Sequence, residues 1–103
     1  MQIAIQPNTV YTFKLNSGEE LIAKVVSNNG HGGMITISEP VSIAPANKGI
    51  QMIPSIFTAV SGGEVTLNTS TVTMYTETED SIKDKYIEAT TGIKLPDKKI
   101  ILG

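Results

Sequence analysis

The chain contains no cysteine and no tryptophan. Without cysteine neither a disulfide framework nor a thiolate metal site can be built. Arginine is missing as well: all eight basic residues are lysines, at 14, 24, 48, 83, 85, 94, 98 and 99. That removes the planar fork that grips phosphate and guanine in two places. A net charge of −2 is likewise not the footprint of a strong nucleic-acid binder. The only histidine is His31, and the only aspartates, Asp80, Asp84 and Asp97, crowd the C-terminal quarter. No Ser/His/Asp or Cys/His set can be drawn from these, and one histidine falls short of zinc's usual ligands. The expectation is a protein that is not an enzyme, with no catalytic residue, metal or cofactor. No apolar run approaches the roughly 20 residues that span a bilayer. No basic-then-apolar leader opens the chain, so no membrane and a cytoplasmic setting are expected.

What is present is a 103-residue chain that is 40% hydrophobic and 17% charged, the composition of one globular domain covering 1–103. A chain of this size buries only about two-thirds of its unfolded surface, so self-association would be a natural supplement. Between Val25 and Gly63 the only formal charges are Glu39 and Lys48. That central region is buried or faces another chain.

Alternation with period two begins at Val10, where Tyr11, Phe13 and Leu15 interleave with Thr12 and Lys14. Asn16-Ser17-Gly18 turns the chain into a second run carrying Leu21, Ala23 and Val25 on one face and Ile22, Lys24 and Val26 on the other. A strand apolar on both faces is expected where a sheet bends over itself or meets a neighbouring subunit. Residues 28–33 (NNGHGG) read as a loop. In the third run Ile35, Ile37, Val41 and Ile43 fall on one face, and Pro40 predicts an edge or a bulge. Residues 45–49 read as the next loop and 50–60 as a fourth run, bent at Pro54. Ser61-Gly62-Gly63 reads as a hairpin turn into a fifth, threonine-rich run over 64–76. The parity of its apolar residues changes between Leu67 and Val72, which predicts a bulge or kink near 68–70. Only then does the period lengthen: Ile82, Tyr86, Ala89 and Ile93 form a helical stripe over about 79–91. Thr76 to Glu79 fits a capping box, Gly92 a C-terminal stop, and a tail follows over 94–103.

Five strands with a mid-length bend in so short a chain resemble the Sm-like family of small barrels. The resemblance covers roughly Val10 to Thr76. V-Y-T-F-K-L-N-S-G-E-E-L-I-A-K-V-V-S looks like the family's first motif, and Glu64 to Val72 is similar in spacing to the second. The helix after the barrel, rather than before it, resembles the phage-encoded kind, whose setting is the host cytoplasm. The resemblance implies an all-β, five-stranded, strongly bent barrel over about 9–76 with one C-terminal helix. It also implies a homo-oligomeric ring of about five to seven subunits closed by strand pairing between neighbours. Family members carry an Asp-x-aromatic-Met-Asn loop and an Arg-Gly (or Lys-His) pair in a nucleotide pocket. Here Ser27 stands about where the Asp belongs, Gly33-Met34 replaces Met-Asn, and Asn68-Thr69 replaces Arg-Gly.

Two functional readings follow. In the first, the ring binds single-stranded RNA through loops carrying Asn28, Asn29, His31, Asn68 and Thr69, with Lys24 or Lys48 supplying charge. Amides and an imidazole on a glycine-rich loop suit stacking on and hydrogen bonding to unpaired bases, although the same residues also serve an ordinary turn. In the second, the ring is a protein-assembly component that binds no RNA and meets a partner through the helix or tail. Candidate oligomer contacts are Ile22, Val26, Val72, Met74, Ile100 and Ile101. The helix stripe has a plainer use, docking on its own barrel.

Overall fold

The computed structural model describes residues 5–28, 32–60 and 62–92. Among them the chain forms strands β1 (Thr9–Leu15), β2 (Glu20–Ser27), β3 (Met34–Ala46), β4 (Gly49–Pro54), β5 (Glu64–Asn68) and β6 (Val72–Glu77). One helix follows, α1 (Asp80–Thr91). All the pairings are antiparallel, in the order β4-β3-β2-β1-β6, with β5 on the first part of β3. No ladder joins β5 to β6; a 3₁₀ turn at Thr69–Thr71 links them through the chain. The molecule is thus mostly β with a single C-terminal helix. The expected break near 68–70 is that turn, and it splits the expected fifth run into β5 and β6, so six strands stand where five were expected.

Two cores flank the sheet. Tyr11, Phe13, Leu21, Ala23, Val25, Ile35, Ile37 and Val72 pack together on the concave side, with Ile5 and partly buried Val65 and Leu67. Val10, Ile22, Val41 and Tyr86 pack on the other side with Ile43, Met52, Ile82 and Ile87. This explains why β2 is apolar on both faces: one face lines the first core and the other lies under α1.

The two cores exist because β3 changes face. Ile22 pairs with Val41 and Lys24 with Ser38, so Glu39 and Pro40 together stand opposite Ala23. The extra residue reverses inside and outside for everything downstream. Ile35 and Ile37 therefore enter the first core while Val41 and Ile43 enter the second, which corrects the expectation of one shared face. The bulge predicted from Pro40 is present; Glu39 within it has φ 51°.

Further expectations are corrected. β3 runs through Pro45 to Ala46, which pairs with Gly49 across a two-residue turn, so 45–49 is a hairpin tip and not a long loop. Pro45 fits because it stands one rung from the hairpin tip and beyond Ile43, where pairing with β2 ends, so no ladder on that side needs its missing donor. Pro54 ends β4 instead of bending it, and the expected hairpin into the run from 64 does not form, because β4 and β5 both pair β3 and not each other. The capping box does not form: Thr76 pairs with Thr12 in the sheet, while Glu79 is the N-cap and makes no side-chain cap bond. Strand pairing satisfies the backbone that the cap would have needed. Gly92 does close the helix, at φ 77° with its N–H on the Glu88 carbonyl at 3.1 Å. In the α1 stripe Ile82 and Tyr86 pack as expected, while Ile87 packs in place of Ala89, which is exposed; Ile93 lies outside the described residues.

Candidate functional site

The two loops singled out for binding meet at the 3₁₀ turn. Met34 pairs with Asn68 at the end of the β3–β5 ladder, which brings the end of the 28–33 loop against the turn. Thr69 then clasps them: its N–H donates to the Gly33 carbonyl at 2.7 Å and its Oγ1 donates to the same oxygen at 2.5 Å. The turn reaches the β1–β2 connection too, where the Asn16 N–H donates to the Thr71 carbonyl at 2.7 Å and Asn16 Nδ2 to the Ser70 carbonyl at 3.3 Å.

Each candidate residue can now be placed. Thr69 is 1% exposed, and its hydroxyl belongs to the clasp. Asn68 Oδ1 accepts from the Ser70 N–H at 3.0 Å and from Ser70 Oγ at 2.9 Å, so this amide caps the turn. Asn28 is half-buried at the loop entrance. Asn29 and His31 lie outside the described residues. Lys24 is elsewhere: with Lys83 it lines a groove between α1 and the sheet. Lys48 sits at the tip of the β3–β4 hairpin. The loops come together, and the two lysines do not join them.

The candidate contact residues divide similarly. Ile22 is 1% exposed beneath α1 and Val72 is 5% exposed in the first core; both are covered by their own chain and cannot serve as contacts without opening it. Val26 is half-buried. Met74 is 63% exposed on β6, which has a hydrogen-bonded neighbour, β1, on one side. A register shift at Lys14/Leu15 separates it from Val72, so Val72 points inward and Met74 outward. Tyr75 returns to the aromatic group, with ring centroids 6.2 Å from Tyr11 and 6.5 Å from Phe13. Ile100 and Ile101 lie outside the described residues.

Sequence reasoning missed the use made of Tyr86. The bulge at Glu39-Pro40 interrupts the β2–β3 ladder and leaves polar backbone groups without strand partners. The Tyr86 hydroxyl fills the gap. It accepts from the Lys24 N–H at 3.2 Å and lies within donating distance of the Ser38 and Glu39 carbonyls, at 3.0 and 2.8 Å. Burial raises its pKa to about 12, with the nearby Glu39 carboxylate pushing the same way and the Lys24 N–H opposing. No sequence signal distinguishes this tyrosine from an apolar stripe residue, because the groups it bonds are orphaned only by the fold.

Also unforeseen is the loop after β4. Ile56 is 44% exposed, Phe57 79% and Val60 81%. They flank a cavity of about 210 Å³ floored by Pro40, Pro54 and Val65.

No protein-family model matches the chain, and no curated protein is significantly similar to it. Among the described residues no group of three or more His, Cys, Asp and Glu side chains is placed to hold a metal ion. No described helix is long and apolar enough to cross a membrane.

Proposed function

We propose that this chain is an Sm-like small barrel that assembles into a homo-oligomeric ring and binds single-stranded RNA without catalysis. The observation that carries the reading is the clasp between Thr69 and Gly33, which sets the end of the glycine-rich loop, Gly32 and Gly33, beside residues 68–71. Two separate loops converging in this way can present bases with polar groups from two directions. The barrel reading rests on connectivity. β1 pairs β2, β2 pairs β3, β3 pairs β5, and the 3₁₀ turn delivers the chain to β6, which pairs β1. No ladder closes this path between β5 and β6; in the barrel reading the backbone of the 3₁₀ turn stands in for it. Ring assembly would add strands to the open side of β6, whose exposed Met74 would then be covered.

A second reading, a protein-assembly ring without RNA, draws on the Ile56, Phe57 and Val60 surface, since exposed large apolar side chains grouped on one loop mark protein contacts. A titration of labelled U-rich and A-rich RNA oligomers, at low and near-physiological salt, separates the two. RNA binding predicts saturable affinity that depends on base identity and falls in Asn28→Ala and His31→Ala. Binding that is absent, or indifferent to base and to both substitutions, overturns it in favour of the assembly ring.

A further inference from the structure

A groove of about 400 Å³ runs between α1 and the sheet, away from the loop pair. Val10, Tyr86 and Ile87 line it with apolar surface, and Lys24 and Lys83 are among its lining residues. One carboxylate, Glu39, shares this lining with them and lies near enough to Tyr86 to act on its hydroxyl; its Oε1 is 3.9 Å from where a Cβ would stand on Gly62. Two lysines against one glutamate leave the lining with a positive formal balance beside its apolar residues. Its backbone is unusual too. Among the described residues Asn8 and Glu39 are the non-glycine positions with positive φ, at 62° and 51°, and both line this groove. Such strain persists only where the surroundings over-determine it, and it gathers at ligand clamps. The volume lies in the range of small-molecule sites, roughly 300–1,000 Å³.

We propose that this groove binds a small amphipathic anion: a carboxylate on an apolar chain, its head between Lys24 and Lys83 and its body along Val10, Tyr86 and Ile87. The two lysines select the anion, and the apolar wall, by excluding water, strengthens their pull. This site is independent of RNA binding, which is proposed at the other loops.

The test uses the full chain, sodium octanoate and uncharged 1-octanol as probes, with binding followed by amide chemical shifts along β2 and α1. Octanoate is expected to saturate at one per chain, shifting the Lys24 and Tyr86 amides. Octanol should bind about tenfold more weakly or worse, the order expected for loss of a charge-assisted contact. The double variant Lys24→Met, Lys83→Met should reduce octanoate to the level of octanol. Lys83→Gln alone should fall between, and serves if the double variant is misfolded. Three outcomes overturn the site: no saturable binding, shifts confined to other elements, or octanoate affinity unchanged by both variants. A groove already covered by another part of the chain or by a second copy would give the first of these.

Discussion

Tyr86 is the residue on which the two faces of the sheet depend. Its hydroxyl satisfies groups that the Glu39-Pro40 bulge withdraws from the ladder, and its ring fills the core under α1. Removing only the oxygen leaves buried backbone groups without a partner, a loss of about 1–3 kcal/mol. Tyr86→Phe should therefore lower stability by that amount in chemical denaturation, although it keeps the apolar ring. The same hydroxyl predicts an alkaline weakness. Its folded-state pKa of about 12 lies above the ordinary phenol value of about 10. Between these values the folded state holds a proton that the unfolded state releases, so stability falls as pH rises through the window and is intact below it. Denaturation midpoints measured from pH 9 to 12 should slope downward in the wild type and run flatter in Tyr86→Phe. Parallel slopes would show that another group titrates.

At the scale of elements, the interplay between β3 and its neighbours decides the architecture. Ile22→Ala removes a side chain 1% exposed beneath α1, and should cost about 2–5 kcal/mol, the range for truncating a buried isoleucine. Met74→Ala, on the exposed edge of β6, should change single-chain stability by no more than about 0.5 kcal/mol. Thr69→Val keeps the shape of the side chain but loses its bond to Gly33; hydrogen exchange at the Thr69 amide, which donates to the same carbonyl, should quicken. An unchanged rate would mean that the backbone bond alone holds the loops together. These elements were unequally legible. Alternation alone located β1 and β2, and the proline at 40 announced a bulge. What alternation could not say is that the bulge would reverse the face of Val41 and Ile43, because parity is counted along a chain and the inserted residue is defined only against a partner strand. Pro45 was misread for the same reason: its tolerance depends on lying near the end of a hairpin ladder. The capping box failed because Thr76 had a competing use in β6. The meeting of Gly33 with Thr69 was anticipated only through the Sm-like resemblance. The Phe57 surface and the groove beside α1 left no pattern along the chain.

On the scale of the whole molecule, the described fold leaves two features without an intramolecular use, the outer side of β6 with Met74 and the apolar loop with Phe57 and Val60. An isolated domain this small gains by covering such surface. Both functional readings share one structure, a ring in which neighbouring chains cover these features. Its most direct test is the molar mass of the full chain in solution by light scattering, at near-physiological salt and over a range of concentrations. A ring predicts one discrete species at a fixed multiple of the 11.0 kDa chain, about five- to sevenfold for a closed cyclic assembly, which dissociates on Met74→Glu. A mass of 11.0 kDa that holds at every concentration would contradict it.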